Sequence, residues 1–131
     1  MKLLITTAIA ITTLISGCGL VQTQKATEWM AQTPASAWGE PPSDFSSAQS
    51  VIQSVMIDPE STRFKFVKSY RNWFQSRDQF IPYWYVEVLV NSKNRFGGYT
   101  GDKLMLLAYD NEGKLRAVDL EGKGRDWKFL N

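Results

Sequence analysis

Pro82-Tyr83-Trp84-Tyr85-Val86-Glu87-Val88-Leu89-Val90 is the stretch from which the fold of this chain is read. Its alternation puts Trp84, Val86, Val88 and Val90 on one side and Tyr83, Tyr85 and Leu89 on the other, the two-residue period of a β-strand. Both sides are apolar, so the strand is expected at the centre of its sheet. Pro82 stands at its start, where a missing amide donor does least harm.

Upstream, Arg63-Phe64-Lys65-Phe66-Val67-Lys68-Ser69-Tyr70 largely alternates and predicts a strand with Phe64, Phe66 and Tyr70 on one side. The polar run at residues 75–79 is expected to turn the chain between these two strands. Earlier still, Phe45, Ala48, Val51, Ile52, Val55 and Met56 recur at three- and four-residue spacing and predict an amphipathic helix over residues 44–57. Ser43 is its expected N-cap, Asp44 complements the dipole in the first turn, and Asp58-Pro59 stops it. One helix of this length cannot bury its apolar face alone and must lie on the sheet.

Downstream, strands are expected over residues 103–109 and 114–120, joined by the turn Asp110-Asn111-Glu112-Gly113. The apolar end with Trp127, Phe129 and Leu130 is expected to add a fifth edge strand or cap the core. The fold class is therefore α+β: one N-terminal amphipathic helix packed on an antiparallel β-meander of four to five strands, within a domain at residues 43–131. Residues 18–42 are Gln-, Thr-, Ala- and Ser-rich, end in Gly39-Glu40-Pro41-Pro42, and read as a flexible tether. Trp38 is expected to pack back on the domain, whereas Trp29 fits either packing or a membrane interface.

Residues 1–17 have the parts of a secretory signal: Lys2 at the start, an apolar and threonine-rich core, and Ser16-Gly17 before the cleavage point. The thirteen residues 3–15 fall short of the roughly 20 a spanning helix needs. Ile15-Ser16-Gly17-Cys18 resembles the lipobox of bacterial lipoproteins. That resemblance implies cleavage before Cys18, a diacylglyceryl group on its sulfur and a further acyl chain on the new amino terminus. One short chain holds a protein only marginally, and several at one residue make a durable membrane anchor. Gly19, where Asp would retain an enterobacterial-type lipoprotein in the inner membrane, points by the same likeness to the outer membrane.

The mature chain is nearly neutral, with 14 Lys and Arg against 13 Asp and Glu once Lys2 has left with the leader. Arg63, Lys65, Lys68, Arg71 and Arg77 form a modest local excess, explained by a solvated strand face, and no nucleic-acid partner is expected. The chain has no histidine and no cysteine besides Cys18. A Ser-His-Asp triad, an imidazole-zinc site and a structural disulfide are excluded, and no cofactor or metal is expected. Stability has to come from an apolar core, for which five Trp, five Tyr and seven Phe are generous.

Between the second and third expected strands lies Asn91-Ser92-Lys93-Asn94-Arg95-Phe96-Gly97-Gly98-Tyr99-Thr100-Gly101. Its three glycines allow positive φ angles. One account is a long hairpin loop or bulge that reverses the chain. The other is a recognition loop, with Phe96 and Tyr99 as contact aromatics and Asn91, Lys93, Asn94 and Arg95 supplying hydrogen bonds. It is not a phosphate cradle, since Gly101-Asp102-Lys103 opens a strand rather than a helix.

This box, together with Asp58-Pro59-Glu60-Ser61-Thr62-Arg63-Phe64, resembles small bacterial and phage-borne lipoproteins that pair an x-D-P-x-S-x-x-F segment with V-N-x-K-N-x-x-G-G-Y-x-G. The likeness covers roughly residues 48–109. Members of that largely uncharacterised family often carry a cysteine and a glycine before the Val-Asn pair, where this chain has Glu87 and Val88. The likeness implies a fold and a location more than an activity.

Three functions are weighed. The first is a non-catalytic envelope lipoprotein that binds a protein partner or joins a larger assembly, such as a secretion or conjugation complex or a phage-related surface function. The second is a small lipid or ligand carrier. The third is a cell-wall hydrolase using Glu87 with Asp102 or Asp119, which would need two carboxyl groups roughly 5 to 10 Å apart.

Overall fold

The computed structural model describes residues 18–131, so the expected signal segment at residues 1–17 lies outside the described residues. Helix α1 (Cys18–Gln32) is followed by a 3-10 turn (Ala35–Trp38), helix α2 (Ser46–Ser54) and a second 3-10 turn (Pro59–Ser61). Strands β1 (Arg63–Ser76), β2 (Gln79–Asn91), β3 (Lys103–Tyr109), β4 (Leu115–Asp119) and β5 (Lys128–Phe129) then form one antiparallel sheet in sequence order. The α+β class and the meander are as expected, and β2 is paired on both sides. The helix of the 44–57 expectation is present as α2, but a second α-helix precedes it.

That second helix corrects the reading of residues 18–42 as a flexible tether. Ala26 is buried and Trp29 and Met30 pack on the core, so α1 presents residues at three- and four-residue spacing to the sheet. Trp38 is 2 % exposed, and its indole N–H donates to the Asn72 carbonyl at 2.8 Å. Gly39, at φ 64°, runs so close to the 110–113 turn that a Cβ there would stand 2.3 Å from the Asn111 carbonyl oxygen.

At the start of α2 the Asp44 carboxylate, rather than Ser43, satisfies an open amide, accepting from Ser46 N at 3.0 Å. Hydrogen bonding by the Ser46 hydroxyl and amide holds the Asp44 carboxyl below its ordinary pKa. The helix tightens after Ser54: Val55 and Met56 donate to carbonyls three residues back, at 3.1 Å each.

Ala48 and Ile52 of α2, with Trp38, fill the space against Trp84, Val86, Val88, Met105, Leu107 and Tyr109. These sheet residues share one face by register, Val86 lying opposite Leu107 and Val88 opposite Met105. β1 changes sides part-way. Phe64 and Phe66 stand opposite Val90 and Val88 on the helix side, but the register slips between Phe66 and Lys68, so Tyr70 lies opposite Tyr85 on the other face. This bulge corrects the expectation that Phe64, Phe66 and Tyr70 share a side. β1 also runs on to Ser76, narrowing the expected 75–79 turn to Arg77 and Asp78, with Arg77 at φ 53°.

The face away from α2 carries its own aromatic group: Tyr70, Phe74, Tyr83, Tyr85 and Trp127 around Ala108 and Ala117. β1 and β5 are the outer strands of the five, yet the Phe74 ring lies 5.3 Å from Phe129 and 5.0 Å from Trp127. The sheet is therefore curled, concave on the side opposite the helices, and its edges approach each other across that face.

Candidate functional site

The loop between β2 and β3 is built on its own backbone. Lys93 and Tyr99 form an isolated antiparallel bridge, Asn94 N donates to the Gly98 carbonyl at 2.8 Å, and Gly97 N returns to the Asn94 carbonyl at 3.0 Å. Gly97 sits at φ 79° and Gly101 at φ 98°, conformations that cost a side-chain-bearing residue dearly. The Asn94 side-chain oxygen accepts from Phe96 N at 2.9 Å and Gly98 N at 3.2 Å, and the Asn91 oxygen accepts from Gly101 N at 3.1 Å. Both carbonyl oxygens, expected to face a ligand, instead shape the loop.

The Asp58-Pro59-Glu60-Ser61-Thr62 segment braces this loop from the side. Asp58 caps the short Pro59–Ser61 turn, its carboxylate accepting from Ser61 N at 3.3 Å. Its backbone carbonyl accepts from the hydroxyls of Ser61 at 2.8 Å and Ser92 at 3.1 Å. Ser61 Oγ accepts from Lys93 N at 3.0 Å, and Thr62 Oγ1 donates to Ser92 Oγ at 3.3 Å. The two sequence boxes are thus one structural unit joined through Ser61 and Ser92, and Ser92 is buried at the joint.

Tyr99 is exposed, as expected of a contact aromatic, but it is tied to its neighbours. Its hydroxyl donates to the Ser61 carbonyl at 3.0 Å, the Arg63 guanidinium lies 4.0 Å above its ring, and the Lys93 ammonium is 5.5 Å from the same ring. Phe96, by contrast, is 88 % exposed at the tip beside exposed Arg95. The six candidates divide accordingly: Asn91 and Asn94 hold the loop's form, Lys93 and Tyr99 fasten it, and Arg95 and Phe96 are what it presents.

The carboxylates considered for hydrolysis are placed differently. Glu87, Leu106 and Asp119 share one row across β2, β3 and β4, which puts the two acids about 10 Å apart at the backbone. Asp119 is fully buried, and its two oxygens accept from Glu121 N at 3.0 Å and Gly124 N at 2.6 Å, so it holds the turn after β4. Glu87 opens on the concave face with Lys68 Nζ at 3.6 Å. Burial, with the Glu87 charge adding, pushes the Tyr70 hydroxyl pKa up. Asp102 is exposed ahead of β3. No group of three or more residues able to hold a metal ion occurs among the described residues.

Cys18 is the first residue of α1. No helix among the described residues is long and apolar enough to cross a membrane. Sequence reasoning missed the concave face, whose rings come from separated segments; the one local signal was the outward row of Tyr83 and Tyr85. No family model, curated protein or solved structure matches the chain.

Proposed function

We propose that this chain is a lipid-anchored envelope lipoprotein, held at the bacterial outer membrane through acylated Cys18 and facing the periplasm, that acts without catalysis as a protein-binding or assembly module. The lipobox-like Ile15-Ser16-Gly17-Cys18 supports the anchor. The observation that carries the binding role is Phe96, 88 % exposed on a loop whose base is fastened to the Asp58–Thr62 segment. A large apolar side chain presented by a preformed loop loses little entropy when it is covered, which favours recognition. The space between α2 and the sheet is filled by Trp38, Ile52 and their neighbours, which favours this reading over a carrier with its cavity there.

A photo-crosslinking residue at position 96, in whole cells, tests the reading against the same residue at exposed Lys114. The expected result is a discrete adduct from 96 alone; identical patterns from both positions would refute the loop's role. Cys18→Ala should release the protein from membranes or leave it unprocessed, and wild-type fractionation would refute the anchor.

A further inference from the structure

The concave face carries a second site that shares no residue with the loop. A cleft of about 570 Å³ opens there between β1, β2, β3 and the segment after β4, within the roughly 300 to 1,000 Å³ of ordinary ligand sites. Its wall is a run of rings: Tyr70 lies 5.9 Å from Tyr85, Tyr85 4.9 Å from Trp127, and Trp127 5.0 Å from Phe74. The Tyr85 hydroxyl is already engaged with the Trp73 carbonyl at 3.1 Å, so Tyr85 adds ring surface rather than a free donor. Leu104 and Leu106 extend the apolar part, and Glu87, Asn72, Gln75 and Arg125 bring hydrogen-bonding groups of both kinds to the same space.

We propose that this cleft binds a neutral saccharide strand. A pyranose has an apolar C–H face that lies against aromatic rings and a rim of hydroxyls that both donate and accept. The cleft has the matching surfaces: aromatic ring surface for the first, Glu87 as acceptor and Asn72 and Arg125 as donors for the second. A cationic ligand fits less well, because Glu87 already has Lys68 at 3.6 Å and Lys123 and Arg125 line the cleft. An anion would be drawn by Lys123 and Arg125 but would meet the Glu87 carboxylate on the same wall. A neutral, hydroxyl-rich ligand satisfies both signs without leaving a charge unpaired.

The back of the cleft is built close. Gly122, at φ 64°, lies where a Cβ would stand 2.4 Å from the Leu104 carbonyl oxygen, and Asp119 ties down Gly124 two residues on. The segment bearing Lys123 and Arg125 is therefore held against β3, and the site exists before any ligand arrives.

Nuclear magnetic resonance of the whole chain in detergent micelles tests this by titration with the β-1,4-linked tetrasaccharide of N-acetylglucosamine, with tetralysine as the comparison. The expected result is saturable movement of the Trp127 indole and the Gly122 and Gly124 amides with the sugar alone. Glu87→Gln, which keeps the side chain's shape, should weaken binding about tenfold, and Trp127→Ala should abolish it. Should Trp127→Ala loosen the fold, Glu87→Gln still decides. Absence of sugar-induced movement, binding unchanged in Glu87→Gln, or preference for tetralysine would each overturn the proposal.

Discussion

The indole N–H of Trp84, in the middle of the sheet, donates to the backbone carbonyl of Trp38 at 2.8 Å. The bond joins a segment that precedes α2 to β2, an inner strand of the sheet, and it is buried. Trp84→Phe keeps most of the ring's contacts but leaves the Trp38 carbonyl without a partner. A loss of about 1 to 3 kcal/mol is expected, read as a lower midpoint in urea at an unchanged slope.

Tyr109 gives the opposite sign. It is the one residue among those described whose buried side-chain polar atom, the hydroxyl, lacks a hydrogen-bond partner. Burial pushes that hydroxyl's pKa up, with the Asp44 charge adding. Tyr109→Phe removes the unsatisfied group while keeping the edge contact between this ring and Phe45. The variant should unfold at higher temperature, by a gain of about 1 kcal/mol; a lower midpoint would show that the hydroxyl has a partner.

Asp110 predicts a pH dependence. Burial raises its pKa, but hydrogen bonds from Lys114 N, the Arg116 guanidinium and Glu112 N outweigh that, and the net shift is downward. Its folded pKa lies below the unfolded value of about 3.9. The stability it contributes is present in full above that value and is lost as pH falls through the folded pKa. Asp110→Asn should therefore be less stable than the wild type at neutral pH, with the gap closing in acid. Urea midpoints for both proteins from neutral pH downward would measure it, and a constant gap would refute the assignment.

The loop predicts a separation of effects. Phe96→Ala should leave stability within about 0.5 kcal/mol of wild type, because the ring is exposed. Asn94→Ala removes the acceptor of Phe96 N and Gly98 N, so those two amides should exchange with solvent faster while amides in β2 hold their rates. Equal rates in the two proteins would count against the account of Asn94 as a shaping residue.

Much of the sheet could be read from single-strand periodicity. β2, β3 and the 110–113 turn lie where they were expected, because β2 keeps a two-residue pattern on its core face and β3 is an apolar run that ends at a turn. α1 was missed because Ala26, Trp29 and Met30 mark its inner side amid residues that also suit a tether. Its contacts, not its own pattern, account for it. At the site, residue types placed the loop but could not show that the Asn91 and Asn94 oxygens are taken up by the loop's own amides. The cleft was invisible for a different reason: residues 70–75, 85–87, 104–106 and 122–127 meet only after the sheet curls.

The slip between Phe66 and Lys68 makes β1 behave like a text with a reading frame of two. Val67, about half exposed, is the extra letter. Deleting it would close the slip and leave Phe66 opposite Val88 and Lys68 opposite Glu87 in plain alternation, so every later residue would keep its side. A strand that ran on with Val67 in place and no slip would instead turn Tyr70 and Phe74 towards the helices. An apolar residue that buries little thus sets the frame of the whole strand: its deletion should leave the rings of the cleft in place, and a residue inserted after Lys68 should either force a second slip or displace them.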